Sequence, residues 1–127
     1  MIFKSPNMEK QLYNTPKELK RIAYDFEWLS KVFGVECVVT RVTDPVEGES
    51  GVHPDGRAVD FRDECGGNYL YSKEDREFIV SFLNIKYARK DGKKCVIWHS
   101  FNGAPHHFHI QIPVDSSQFV HADKLRI

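Results

Sequence analysis

No charge of either sign dominates this chain: 18 Lys and Arg residues are matched by 18 Asp and Glu. A neutral, scattered pattern leaves no electrostatic footprint for DNA, RNA or an acidic membrane, so nucleic-acid binding is not expected. The densest basic run, Lys90-Asp91-Gly92-Lys93-Lys94, reads as a solvated turn. No apolar run nears the ~20 residues of a membrane span, so membrane insertion is not expected either. The N-terminus has no basic segment followed by an apolar one, which predicts synthesis in the cytoplasm without a signal peptide. Cysteine is scarce. Cys37, Cys65 and Cys95 lie far apart with no Cys-x-x-Cys pair, which argues against a disulfide framework. Cys37 and Cys95 fall in apolar runs and are expected to be buried; Cys65, beside Gly66-Gly67, is expected at the surface. There is no Gly-x-Ser-x-Gly elbow and no phosphate-cradling glycine loop.

What is present fits one domain of 127 residues. The first dozen residues read as an irregular lead-in. A helix then starts at Thr15, with Pro16 at its first position and Glu18 completing a capping box. Its apolar residues Leu19, Ile22, Ala23, Phe26, Leu29, Val32 and Phe33 recur with helical period, and Gly34 ends it. Val35–Val42 reads as a strand, Thr43–Val52 as a loop, Arg57–Phe61 as a strand and Asp63–Tyr71 as a loop. Ser72 caps a second helix running to about Arg89. After an Asp91-Gly92 turn come strands Lys94–Phe101 and Phe108–Ile112, joined through an Asn102-Gly103 turn and expected to pair antiparallel. The order α-β-β-α-β-β predicts an α+β domain: a small, mainly antiparallel sheet with two helices on one face.

The chemistry concentrates in two segments. One is His53-Pro54-Asp55-Gly56-Arg57-Ala58-Val59-Asp60; the other is His106-His107-Phe108-His109-Ile110-Gln111. Period-two geometry puts His107, His109 and Gln111 on one face of the last strand and Phe108, Ile110 and Ile112 on the other. Asp60 and Ala58 share a face likewise. His53 is seven residues before Asp60, so a straight strand would oppose them; the Pro54-Asp55-Gly56 turn can bring His53 back. Two imidazoles and a carboxylate are a zinc ligand set that leaves a position open for water. Nearby, a further imidazole can handle a proton or steady negative charge. His99 and His121 read as ordinary surface or core histidines.

At these residues the chain resembles a family of zinc peptidases. It groups D-alanyl-D-alanine carboxypeptidases and dipeptidases, phage L-alanyl-D-glutamate endopeptidases, penicillin-insensitive murein endopeptidases and the hedgehog signalling domain. The shared pattern is Ser-x-His-x-x-Gly-x-Ala-x-Asp with a later His. His53, Gly56, Ala58 and Asp60 match its core. The resemblance implies a hedgehog-like or DD-peptidase-like fold and one Zn²⁺ per chain on His53, Asp60 and His109. It also implies an arginine segment at Thr40-Arg41-Val42, in which Arg41 polarises the scissile carbonyl or holds a substrate carboxylate. The chain departs from the pattern twice. The family's serine before the first ligand is Gly51 here, with Ser50 one place off and kept as a substrate-binding candidate beside Arg41. The acidic general base three residues before the last ligand is replaced by His106. Other members use His-x-His, which His107 and His109 satisfy, so His107 takes the catalytic role with His106 in reserve.

The expected activity is hydrolysis of a peptide bond in peptidoglycan peptides by a zinc-activated water, in a phage-type enzyme or assembly acting on the cell wall. Two rivals stand beside it. A non-haem iron oxygenase also uses two histidines and a carboxylate, but its jelly roll needs more strands. A zinc-stabilised cell-wall-binding or virion structural module would keep the metal and hydrolyse nothing.

Overall fold

A computed structural model of the chain describes residues 1–44, 52–101 and 103–122. Among these, a five-stranded sheet carries helices on one face, and the α+β expectation holds. The strands are β1 (Ile2–Phe3), β2 (Val38–Arg41), β3 (Ala58–Arg62), β4 (Glu64–Cys65), β5 (Asn68–Tyr69), β6 (Val96–His99) and β7 (His107–Gln111). The helices are α1 (Pro6–Tyr13), α2 (Lys17–Val32) and α3 (Lys73–Lys86). The main sheet runs β1-β2-β3-β7-β6, with β4 and β5 forming a separate hairpin. Only the β1–β2 pair is parallel; the rest of the main sheet is antiparallel.

The lead-in is a correction. Residues 6–13 form a helix, because Met8 and Leu12 sit one turn apart and are both buried in the core. The expected capping box at Thr15 does not form: Pro16 precedes the first turn of α2 with no side-chain cap. The Thr15 hydroxyl instead donates to the Leu12 carbonyl at 2.7 Å, satisfying the end of α1. Gly34 does end α2, at φ 72°: its N–H donates to the Lys31 carbonyl and the Val35 N–H to the Ser30 carbonyl, a Schellman closure. Ser72 caps α3 as expected, accepting from the Asp75 N–H at 3.1 Å.

Core packing fixes the sheet against α2. Phe26 stacks on Phe61 at 4.2 Å between centroids and meets Phe108 edge-on at 4.9 Å. Tyr71 adds a second edge contact to Phe108, and its hydroxyl pairs with Ser30 Oγ at 2.8 Å. Cys37 and Cys95 are buried, and burial pushes their thiols up to about 12 and about 11. Cys65 is exposed. The Asp63 side chain, fully buried, ties the 63–71 segment to α3 and β6. It accepts from the Leu70 and Tyr71 N–H groups, Arg76 Nε at 2.7 Å and Trp98 Nε1 at 2.8 Å. On the outer edge of β6, the Asn84 carboxamide donates to the Val96 carbonyl at 2.8 Å and accepts its N–H at 2.9 Å.

Phe26→Ala removes the ring on which this packing converges. The expected cost is about 3–5 kcal/mol of stability. Urea unfolding followed by circular dichroism should show that loss as a lower midpoint; an unchanged midpoint would contradict the packing described.

Candidate metal centre

The face of the sheet away from the helices carries the site. Val59 and Phe61 of β3 point into the core, which turns Asp60 and Arg62 to the other side. Phe108 and Ile110 of β7 do the same and turn out His107, His109 and Gln111. The β3–β7 register sets Asp60 opposite His109 and Arg62 opposite His107. His53 arrives from the preceding turn. The Gly56 N–H bonds the His53 carbonyl at 2.9 Å, the Arg57 N–H bonds the Val52 carbonyl at 3.0 Å, and Gly56 has φ 73°. That left-handed step is one glycine takes without strain. It folds His53 back to the side of Asp60, as the sequence suggested.

His53, Asp60 and His109 are all buried, and their ligand atoms lie within 4.8 Å of one another. His53 Nδ1 sits 2.6 Å from the Val42 carbonyl oxygen. A carbonyl only accepts, so Nδ1–H donates to it, and Nε2 is the nitrogen turned to Asp60, 3.3 Å from Oδ1. His109 Nδ1 is 2.8 Å from the same oxygen, and its Nε2 is 2.8 Å from Gln111 Oε1. Two ligand atoms on one tetrahedral zinc are about 3.3 Å apart, given bonds of ~2.0–2.1 Å. The donor set and its spacing therefore fit a divalent metal. The Val42 carbonyl and Gln111 are the outer partners that orient the two rings. Burial alone would raise the Asp60 carboxyl. Hydrogen bonds from His109 and His53, with the charges of both rings, instead hold it well below the usual carboxylate range.

Three more histidines surround the triad, in different roles. His107 Nδ1 is 3.0 Å from the Pro105 carbonyl, which leaves Nε2 facing Asp60 Oδ2 at 3.6 Å. His106 points elsewhere: it stacks on Trp98 at 4.2 Å, and its Nδ1 is 3.0 Å from Glu64 Oε1. Its backbone N–H donates to the same oxygen. His99 was not anticipated as part of the site. It packs against His107 at 4.7 Å and His109 at 5.3 Å between ring centroids. Burial first, then the neighbouring imidazoles His107 and His109, depress His99 to about 4. The signal was available in the expected pairing of the two last strands: alternation puts Ile97 and His99 on the face of His107 and His109. Gln111 was placed on that face by its sequence position, but its bond to His109 was not foreseen.

A groove of about 470 Å³ opens over these residues, with Arg41 on its wall. Arg41 Nε donates to the Asp44 carbonyl at 2.7 Å. Burial lowers its guanidinium from the ordinary value, against the pull of Asp60 and Asp44. Ser50 lies outside the described residues, as does most of the Thr43–Val52 loop. His121 is exposed and lies apart from the groove lining. No helix among the described residues is long and apolar enough to cross a membrane. No protein-family model matches the chain, and no curated protein or solved structure matches it.

Two outcomes follow from this geometry. Losing an outer-sphere partner typically costs 10–100-fold in metal affinity, so Gln111→Ala should weaken zinc binding by about that much and Asp60→Asn by more. Competition titration with a chelating dye reads both; unchanged affinity in Asp60→Asn would remove the centre described. In the metal-free protein, the unfolded chain protonates His99 near 6.5 while the folded chain resists to about 4. Its contribution is therefore intact above about pH 6.5 and is lost as pH falls towards 4. His99→Gln should flatten that part of the stability–pH curve measured by denaturant unfolding.

Proposed function

We propose that this chain is a zinc-dependent peptidase that hydrolyses a peptide bond in bacterial cell-wall peptides. The observation that carries the reading is the convergence of His53, Asp60 and His109 beneath an open groove that Asp60 and His109 line, with His107 Nε2 facing the same carboxylate. Two imidazoles and one carboxylate suit zinc and leave room for a water. Zinc held there would supply an activated water near neutral pH and a Lewis acid for the carbonyl.

The chain's own residues account for the rest. Hydrolysis adds a hydroxyl to the carbonyl carbon and a proton to the leaving amine. His107 can carry that proton, because Pro105 holds its Nδ1–H and leaves Nε2 open to the groove. Arg41 orients the scissile carbonyl or holds a substrate carboxylate from the groove wall. His106 serves the wall rather than the chemistry, since Glu64 and Trp98 fix its ring. The choice of peptidoglycan as substrate, and of a phage assembly as the setting, rests on the resemblance of the His53–Asp60 and His107–His109 motifs to zinc peptidases of that kind.

The test is metal analysis of the purified protein, then incubation of the zinc form with purified peptidoglycan and mass analysis of released peptides. One zinc per chain and new amino termini are expected. His107→Ala should keep the metal and lose on the order of 10²-fold or more in rate. Zinc without any release would point instead to a binding or structural module.

A further inference from the structure

The helices leave an apolar surface on the side of the molecule opposite the groove. α2 and α3 run antiparallel: Phe33, at the end of α2, meets Phe78 of α3 edge-on at 5.7 Å, and Lys86 Nζ reaches Asp25 Oδ2 at 2.7 Å. Each helix already buries one stripe in the core. The face away from the core is expected to be polar. Here it is not. Tyr24, Trp28 and Val32 recur every four residues along α2, and Phe78, Phe82 and Ile85 recur at four and three along α3. All six are between 40% and 70% exposed, and Phe78 stacks on Phe82 at 5.8 Å. A whole aromatic side chain offers about 150–250 Å², so the six together leave roughly 600–700 Å² open. That is more than the largest apolar patch of a typical monomer, about 300–600 Å². It comes close to the ~800 Å² that each partner gives to a stable interface. It is also about a tenth of the chain's 7254 Å² surface, the share such an interface takes from a small protein.

We propose that this outward face of α2 and α3 is a homodimer interface, covered by the same face of a second copy. The charges beside the two stripes decide the occupant. Lys17 and Arg21 continue the stripe of α2 towards its N-terminus, whereas Glu74 and Glu77 flank Phe78 in the first turns of α3. A two-fold axis through the seam between the helices, perpendicular to both, lays α2 of one copy on α3 of the other. Because the two helices are antiparallel, Trp28 then meets Phe82 of the other copy, Tyr24 meets Phe78, and Val32 meets Ile85. The basic start of α2 falls on the acidic start of α3. The face thus complements itself in both apolar pattern and charge, which is what an isologous contact requires. The sheet separates this face from the groove, so the dimer leaves both grooves open whatever their chemistry.

Sedimentation velocity on the full chain tests this, as a dilution series from about 100 μM to about 0.1 μM. A dimer is expected at the top of the series. Trp28→Gln removes the central anchor and should weaken association about tenfold or more. Trp28 is largely exposed in the single chain, so the circular dichroism of that variant should match the wild type. Glu74→Lys sets like charges against Lys17 and Arg21 of the other copy and should weaken association several-fold. Adding Lys17→Glu to the same chain should restore it. A chain that stays monomeric throughout the series overturns the proposal and leaves the face to a different protein. A dimer that Trp28→Gln leaves intact forms elsewhere and overturns it as well. A dimer weakened by Glu74→Lys and not recovered by Lys17→Glu overturns the crossed arrangement of the helices.

Discussion

The alignment of β3 against β7 is the constraint on which the rest depends. It sets a carboxylate opposite an imidazole on one face, Asp60 against His109, and Phe61 against Phe108 on the other. A slip of one residue would exchange the faces, burying the polar row and exposing the aromatic one. The packing of Phe26 against Phe61 and Phe108 therefore guards the register of the candidate metal site without touching it. Stability and chemistry are two readings of the same strand pair.

Burial gives that pair its chemical character. Asp60 is almost removed from water, yet its carboxyl is held in the charged form by two rings. Each ring is aimed by a second partner: His53 by a backbone carbonyl, His109 by Gln111. Charges buried inside a protein demand such pairing. A cluster that holds one anionic oxygen between two nitrogens is poised for a positive ion at their common point. His107 stands just outside, close enough to share the carboxylate's field and open enough to meet a ligand in the groove.

Much of this was legible from the residues, and the parts that were not share a cause. His53, Asp60 and His109 could be brought together because period-two alternation and one glycine turn are local rules. His107 was preferred over His106 on the same grounds, and the two rings do point to different surroundings. What local rules miss is what tertiary contacts decide. The helix at residues 6–13 has only Met8 and Leu12 as buried anchors and depends on the sheet beneath it. Thr15 has the side chain of a helix cap, but a carbonyl of the preceding helix claimed it. His99 looked like an isolated histidine because its neighbours are across the strand rather than along it. The small β4–β5 hairpin was hidden inside a loop whose anchor, Asp63, draws its partners from α3 and β6.

β6 is the last strand of the main sheet, and an open edge normally invites another strand to continue the ladder. At Val96 the place of that next strand is taken by the carboxamide of Asn84, which supplies both a donor and an acceptor as a peptide group would. The helix thus lends the sheet one counterfeit residue. A strand that would extend the sheet at Val96 finds that position already taken by a single side chain.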